Sequence, residues 1–434
     1  MLDELGWVTD EPGRLTRTFL SPAMERANAL VGSWMKEAGL KVRVDSVGNL
    51  IGRLESETVG RTAKAAALVA APVRRGGAGR SALPQTPNPR PKTLLLGSHL
   101  DTVRDAGKYD GPLGVLLPIV ALGELQRRGV KLPFAVEVLG FSEEEGVRFA
   151  SAYLGSKGFT GRLKPATLRL RDADGVSIGD ALRQFNGGRF SPPKPAHRTS
   201  NLIGYIEVHI EQGPVLEEHN LAVGVVSAIA GQSRFKLTWT GKAGHAGTTP
   251  MALRRDALAA AAEFAVGIES IARRTRGLVA TIGSLTVSPG AANVIPGQVI
   301  HTLDVRHADD RVRRQALMAI GRLATQIAAR RQVTRTWQRT QEHGATPCSA
   351  TLTARLERSV KAVQGKSLSL VSGAGHDGVV MASLCPIAML FVRCRHGLSH
   401  HPDEYASPQD LAVALDVMID FLQKLATDYT DEHG

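Results

Sequence analysis

Short apolar runs alternate with helical stretches through most of this chain, and that alternation restricts the fold more than any other feature. Lys41–Val47 and Leu50–Leu54 read as strands around a Gly-Asn turn. Thr93–Leu96, Phe134–Phe141 and Leu202–His209 are further strand-like runs, and Leu113–Gln126 reads as a helix. Phe134–Phe141 is apolar except for Glu137. Strands separated in this way by helices assemble into an α/β sheet. From 229 to 337 the rhythm changes. Arg234–Thr240 predicts a strand, Arg255–Arg273 a helix, and Leu278–Val287 and Val299–Val305 two strands. Asp309–Arg331 then predicts a helix and Val333–Trp337 a strand. That β-α-β-β-α-β order is the split βαβ of a ferredoxin-like domain. Ser367–Ser372 and Ile387–Val392 return to strands of the larger domain. An α/β domain over 1–228 and 338–434, interrupted by a smaller α+β domain over 229–337, is the expected organisation. A length of 434 residues agrees, since it exceeds what one core usually serves.

Residues 61–92 stand apart. Pro, Gly, Ala and Arg dominate them, and no amphipathic period survives the second half, so a flexible insert between two strands is expected. They also concentrate charge: Arg61, Lys64, Arg74, Arg75, Arg80, Arg90 and Lys92 face no acidic residue there. The formal net charge of +12 therefore does not imply a nucleic-acid partner, because no helix-turn-helix, zinc-finger or base-stacking motif accompanies it. No apolar run reaches bilayer length, so no membrane partner is expected. The N-terminal MLDELGWVTDEPGRL has acidic residues and no apolar core, unlike a secretory signal. Cys348, Cys385 and Cys394 lie far apart without a C-x-x-C pair, which suits a reducing cytoplasm rather than a disulfide framework.

Five segments carry chemistry. In GSHLDTV (97–103), alternation along a strand would put His99 and Asp101 on one face, and a metal-binding histidine usually donates its second N–H to a carboxylate. In GKYDG (107–111), Asp110 precedes a helix, where it could bridge two cations or cap free N–H groups. FSEEEG (141–146) stacks three carboxylates after a strand. They are tolerable as a solvated turn, and better explained if a cation neutralises one while another works as a base. EVHIEQGP (207–214) ends a strand at His209, and GLSHHPDE (397–404) offers His400 and His401 beside a Pro turn. Singly each is bland. Together they place His, Asp, Glu, His and His where a strand ends or a loop begins, and such positions converge on one edge of an open α/β sheet. Nitrogen and carboxylate ligands without thiolate suit zinc, manganese or cobalt.

In order and wording these segments resemble the metal-dependent amidohydrolase family of allantoate amidohydrolases and N-carbamoyl-L-amino-acid hydrolases, relatives of aminoacylases and di-zinc aminopeptidases. GHAGTTPM (244–251), RRDA (254–257) and NVIPG (293–297) reinforce the resemblance, which covers nearly the whole chain outside 61–92. It implies a di-metal aminopeptidase-like α/β catalytic domain with an inserted ferredoxin-like lid and dimerisation domain. It implies two divalent ions, zinc or manganese with cobalt or nickel as alternatives. His99 and His209 would bind one, Glu145 and His400 the other, and Asp110 would bridge them. Asp101 would orient His99, Glu144 would be the general base, and His245 would stabilise the oxyanion. Gln212, Asn293 and Arg306 would hold the substrate, Arg306 through its carboxylate. The loop with Gly375 and His376 would complete the pocket. Glu143 stands where relatives often carry Asp or Asn, and the pattern GxSH selects His400 over His401.

The implied activity is hydrolysis of a C–N bond in a small ureido carboxylate by a cytoplasmic homodimer. Allantoate, releasing ammonia and CO2, is the leading substrate. An N-carbamoyl-L-amino-acid hydrolase or a β-ureidopropionase is the alternative, and a non-catalytic metal-binding module would not need Glu144 or His245. Gly373–Gly378 matches G-x-G-x-x-G, but residues 379–402 lack the acid a dinucleotide site wants. No G-x-S-x-G elbow is present either.

Overall fold

The computed structural model describes residues 1–56 and 92–433, so the expected insert lies outside the described residues apart from Lys92. The chain divides into two compact units. One comprises 1–226, 348–369 and 376–434; the other comprises 227–347 and 370–375.

After a short helix, Leu2–Gly6, the first unit has the helix Pro22–Glu37, started by Pro at its first turn and by the Ser21 hydroxyl, which accepts from Met24 N–H. Strands β1 (Lys41–Val44) and β2 (Leu50–Leu54) follow as an antiparallel pair. β1 stops short of the expected Val47 because the Asp45 carboxylate accepts from Val47 N–H and Asn49 N–H, folding a turn instead. Strand β3 (Thr93–His99), the helix Pro112–Arg127, and strands β4 (Ala135–Phe141), β5 (Leu202–Ile210) and β6 (Val223–Ile229) complete this part.

The second unit follows in the order β7 (Gly231–Thr240), a two-residue β8 (Gly244–His245), helix Ala257–Arg274, β9 (Val279–Thr281), β10 (Leu285–Ser288), a two-residue β11 (Val294–Ile295), β12 (Gln298–His307), helix Asp310–Arg330 and β13 (Thr334–His343). Its main sheet runs β10-β12-β7-β13, with β9 also on β12. Burial alternates along β7 and β12. Leu237, Trp239, Val299, Leu303 and Val305 therefore pack against Phe264, Ile320 and Ile327 of the two helices. Asp256 and Asp309 cap those helices. Two differences from expectation arise here. The single strand expected over 278–287 is broken into β9 and β10 at Ile282-Gly283-Ser284, where Ser284 N–H bonds the Thr302 hydroxyl rather than the ladder. β13 runs on past the expected Trp337 to His343, through a bulge between Arg339 and Gln341.

Short strands β14 (Thr346–Pro347) and β15 (Ser369–Ser372) flank the helix Ala350–Gln364, and β16 (Ile387–Val392) precedes the long helix Pro408–His433. Across the first unit the sheet order is β1-β2-β4-β3-β5-β16-β6. β4, β3, β5 and β16 are mutually parallel. β3, β4 and β16 are buried at every residue, as parallel strands covered on both faces require. Their register places His99 beside Phe141 and His209 beside Phe391, so both histidines emerge at the same C-terminal edge. The helix Pro112–Arg127 is pressed onto that edge: a Cβ at Gly114 would lie 2.2 Å from the Val208 carbonyl oxygen. Among the described residues no helix is long and apolar enough to cross a membrane.

Candidate metal centre

β3 ends at His99, Leu100 N–H still bonds the Phe141 carbonyl beside it, and the side chains of His99 and Asp101 meet. His99 Nδ1 lies 3.0 Å from the Asp101 carbonyl oxygen and 3.3 Å from Asp101 Oδ1. His209 Nδ1 lies 3.0 Å from the Ile210 carbonyl oxygen. A carbonyl only accepts, so both Nδ1 atoms carry hydrogen, and Nε2 is the ring atom that each histidine turns toward Asp110. Those Nε2 atoms face Asp110 Oδ1, at 3.7 Å from His99 and 3.1 Å from His209. On the other side of the same carboxylate, His400 Nε2 lies 3.2 Å from Asp110 Oδ2 and 3.6 Å from Glu145 Oε1. His401 instead pairs with Asp403.

Asp110 does not cap the following helix, whose cap position is Gly111 without a side-chain bond. Gly111 sits at φ +85°, and a Cβ there would lie 2.4 Å from the His99 ring, so glycine is required for the carboxylate to approach the imidazoles. Gln212 and His400 also hold left-handed backbones, φ +57° each. Such conformations cost a non-glycine residue about 1–3 kcal/mol and cluster where function over-determines geometry.

Asp101 does more than orient His99. Its Oδ1 accepts Glu144 N–H at 3.0 Å and its Oδ2 accepts Glu145 N–H at 3.1 Å. The two glutamates thereby face His99, with one ligand-type atom of each within 4.8 Å of the others. His99, Asp110 and His209 form one such group, and Asp110, Glu145 and His400 another. Every donor is imidazole nitrogen or carboxylate oxygen. Burial raises the Glu143 and Glu144 carboxyls well above the usual range, reinforced by Asp101 for Glu143 and by Glu145 for Glu144. Burial likewise pushes Glu145 up to about 7. Burial would raise Asp110 too, but the His209, His400 and His99 imidazoles outweigh it and hold that carboxyl well below its usual range. Desolvated carboxylates around three imidazoles sharing one aspartate fit divalent cations, which supply the missing positive charge.

Gln212 is tied to this centre: its amide nitrogen lies 2.8 Å from Asp110 Oδ2 and 3.1 Å from Ser399 Oγ. A carboxylate only accepts, so Nε2 faces it, and the buried Gln212 Oε1 finds no hydrogen-bond partner among the described residues. His376 stacks edge-on against His209, ring centroids 4.5 Å apart. The G-x-G-x-x-G loop leads into a helix of only four residues, Gly378–Met381, whose first N–H is bonded by Glu207. That arrangement does not provide a dinucleotide's phosphate site.

In the second unit, His245 and Asn293 meet on the β8–β11 pair, where His245 stands opposite Val294 and Ala246 N–H bonds the Asn293 carbonyl. Arg306, on β12, has its fork engaged. Nε and Nη2 bond the two oxygens of Asp304 at 3.1 and 2.8 Å, and Nη1 bonds the Gly373 carbonyl. Asp304 also takes Gln232 and Arg234. Arg234, Asp304 and Arg306, with Phe235, Val279 and Thr281, line a cavity of about 550 Å³ within the unit.

Four residues at the centre were not singled out from sequence. Ser399 and Glu404 lie inside the quoted GLSHHPDE, and Glu207 and Asp377 inside EVHIEQGP and the glycine-rich loop. Their signal was present, an acid or hydroxyl within a ligand-bearing segment, but nothing local marks which polar groups turn inward.

The sequence profile described as peptidase family M20/M25/M40 matches residues 95–424. N-carbamoyl-L-amino acid amidohydrolase of Geobacillus stearothermophilus is 41% identical, covering 98% of this chain and 97% of that protein. Allantoate deiminase 2 of Glycine max is 38% identical, covering 98% of this chain and 88% of that protein. A crystal structure of a hydantoinase/carbamoylase family amidase from Burkholderia multivorans superposes with a TM-score of 0.85 at 29% identity, covering 98% and 96% of the two chains.

Proposed function

Because the chain belongs to peptidase family M20/M25/M40 and is a hydrolase of C–N amide bonds, we propose that it cuts the carbamoyl C–N bond of a small ureido carboxylate, allantoate first among them, with two divalent ions. The observation that carries the reading is Asp110 shared by His99 and His209 on one oxygen and by His400 on the other, among desolvated glutamates. His99 and His209 would hold one zinc or manganese ion and Glu145 and His400 the other, with Asp110 between them. Such a pair lowers the pKa of a water and polarises a carbonyl. Glu144 takes the proton of the attacking water and returns it to the nitrogen that leaves, so the carbamoyl carbon gains oxygen as its C–N bond breaks. The carbamate released decays to ammonia and CO2. Asp101 keeps His99 and the Glu144–Glu145 backbone in place. Gln212 offers its Oε1 to a ureido N–H, and Gly375 and His376 wall the same pocket.

The first unit is then the catalytic domain and the second a lid and dimerisation domain. From it His245 stabilises the oxyanion, Asn293 sorts the ureido arms, and Arg306 receives the carboxylate through the N–H groups Asp304 leaves open. The second reading is an N-carbamoyl-L-amino-acid hydrolase, favoured by the 41% identity to the Geobacillus enzyme. Side-by-side kcat/KM values for allantoate, N-carbamoyl-L-methionine and 3-ureidopropionate decide between them. A carbamoyl amino acid turning over faster than allantoate moves the substrate assignment. Full turnover after chelation and desalting removes the two-metal reading.

A further inference from the structure

Glu404 is a buried acid, 4% exposed, lying 294 residues from Asp110 in sequence and bonded to its backbone. Its Oε1 accepts Tyr109 N–H at 2.9 Å and Asp110 N–H at 3.0 Å. Its Oε2 lies 3.0 Å from the Ser399 hydroxyl, which lies 2.7 Å from Asp110 Oδ2. Ser399 immediately precedes His400. One side chain thus fastens the loop that carries Asp110 to the loop that carries His400, at main chain and side chain together. The fit is close: a Cβ at Gly107 would lie 2.3 Å from Glu404 Cβ and 2.5 Å from its Oε1.

We propose that Glu404 is a positioning residue that, with Ser399, fixes the Asp110 carboxylate and the His400 loop in the geometry that receives cations. The proposal rests on the two-metal reading above. A second carboxylate beside Asp110 adds buried negative charge, which a fold has little reason to accept for packing alone. Two backbone N–H donors on Oε1, and a Ser399 hydroxyl whose single hydrogen lies between Oε2 and Asp110, give it a reason. Neither the Glu404 side chain nor Ser399 needs to touch an ion for this role, and outer partners of this kind typically alter metal affinity 10- to 100-fold.

Mn²⁺ titration of metal-free protein by calorimetry tests it, with circular dichroism and melting of the same metal-free samples. Glu404→Ala and Ser399→Ala are expected to fold as wild type, to bind Mn²⁺ roughly 10- to 100-fold more weakly, and to regain kcat as Mn²⁺ is raised. Glu404→Gln keeps an oxygen for both backbone N–H groups and is expected to stay within a few-fold of wild type. Gly107→Ala, which displaces Glu404 without changing it, is expected to behave like Glu404→Ala. Wild-type Mn²⁺ affinity in a folded Glu404→Ala protein overturns the proposal. If that variant fails to fold, unchanged affinity in both Ser399→Ala and Gly107→Ala overturns it. Absence of Mn²⁺ binding by the wild type overturns the two-metal reading itself, a result visible before any variant is made.

Discussion

At the scale of single residues, roles at this site follow from which atoms are already spoken for. Glu144 is 8% exposed and burial raises its carboxyl well above the usual range, yet its backbone is fixed by Asp101. A carboxyl that is held in place and prone to take a proton is suited to shuttle one. Glu144→Gln is expected to keep the fold and the bound metal and to lose at least 10²–10⁴-fold in kcat, the usual contribution of general acid–base catalysis. Steady-state rates with metal analysis check this, and a near-wild-type kcat would assign the base elsewhere. Arg306 shows the opposite case, since its fork already meets Asp304. Only the N–H edges that Asp304 and Gly373 leave open could serve a ligand. Arg306→Leu should lower kcat/KM for any carboxylate substrate roughly 10- to 100-fold, the loss of charged hydrogen bonds. Unchanged kcat/KM would remove Arg306 from the site. The imidazoles and carboxylates that meet around Asp110 were legible because five segments carry them together, though each is bland alone. Ser399 and Glu404 were not, because their importance lies in a contact with Asp110 made across the fold.

At the scale of elements, local patterning revealed the strands β2, β3, β4, β5, β7, β12 and β16 and the helices that begin at Pro112, Ala257 and Asp310, and left the helices Pro22–Glu37, Ala350–Gln364 and Pro408–His433 unread. Boundaries moved where particular hydrogen bonds overrule the pattern: in the local turn at Asp45, at the break between β9 and β10, and along the polar end of β13. Glu137 shows how a conflict with the pattern resolves. This lone acid in the apolar run of β4 bonds Arg53 of β2 at 3.0 Å and His197 at 2.8 Å. Burial would raise its carboxyl, but the His197 hydrogen bond and the Arg53 pair outweigh burial and hold it below the usual 4.5. A carboxyl depressed in the folded state stabilises above its unfolded pKa, and that contribution is lost as pH falls through the folded value. Glu137→Gln should therefore cost about 1.5–3 kcal/mol at pH 7, the range for hydrogen bonds to charged groups. The gap from wild type should narrow below about pH 4.5. Urea unfolding from pH 7 to pH 3.5 reads this, and a gap independent of pH would show that the pair contributes no charge-linked stability.

At the scale of the whole molecule, the residues assigned to one reaction come from two units. Glu144 and the proposed ligands belong to the first, and His245, Asn293 and Arg306 to the second. The second unit also has features that favour self-association. β13 is a ten-residue edge strand, an open ladder that invites pairing. Its helices expose Val266 and Met318, at 70% and 56%. Sedimentation is expected to find a homodimer. If that dimer lends His245 to the partner's site, two inactive chains can repair each other. A His245→Ala chain keeps a working Glu144, and a Glu144→Gln chain keeps a working His245. In a mixed dimer, the site built on the first chain would receive His245 from the second. Random exchange makes half the dimers mixed, each with one complete site of two, so roughly a quarter of wild-type activity should return. Each protein alone should stay inactive, and refolding the two together should give the same fraction as slow exchange. If each His245 serves its own chain, the mixed dimer has no complete site, and activity stays at the level of the parents however long the chains are mixed.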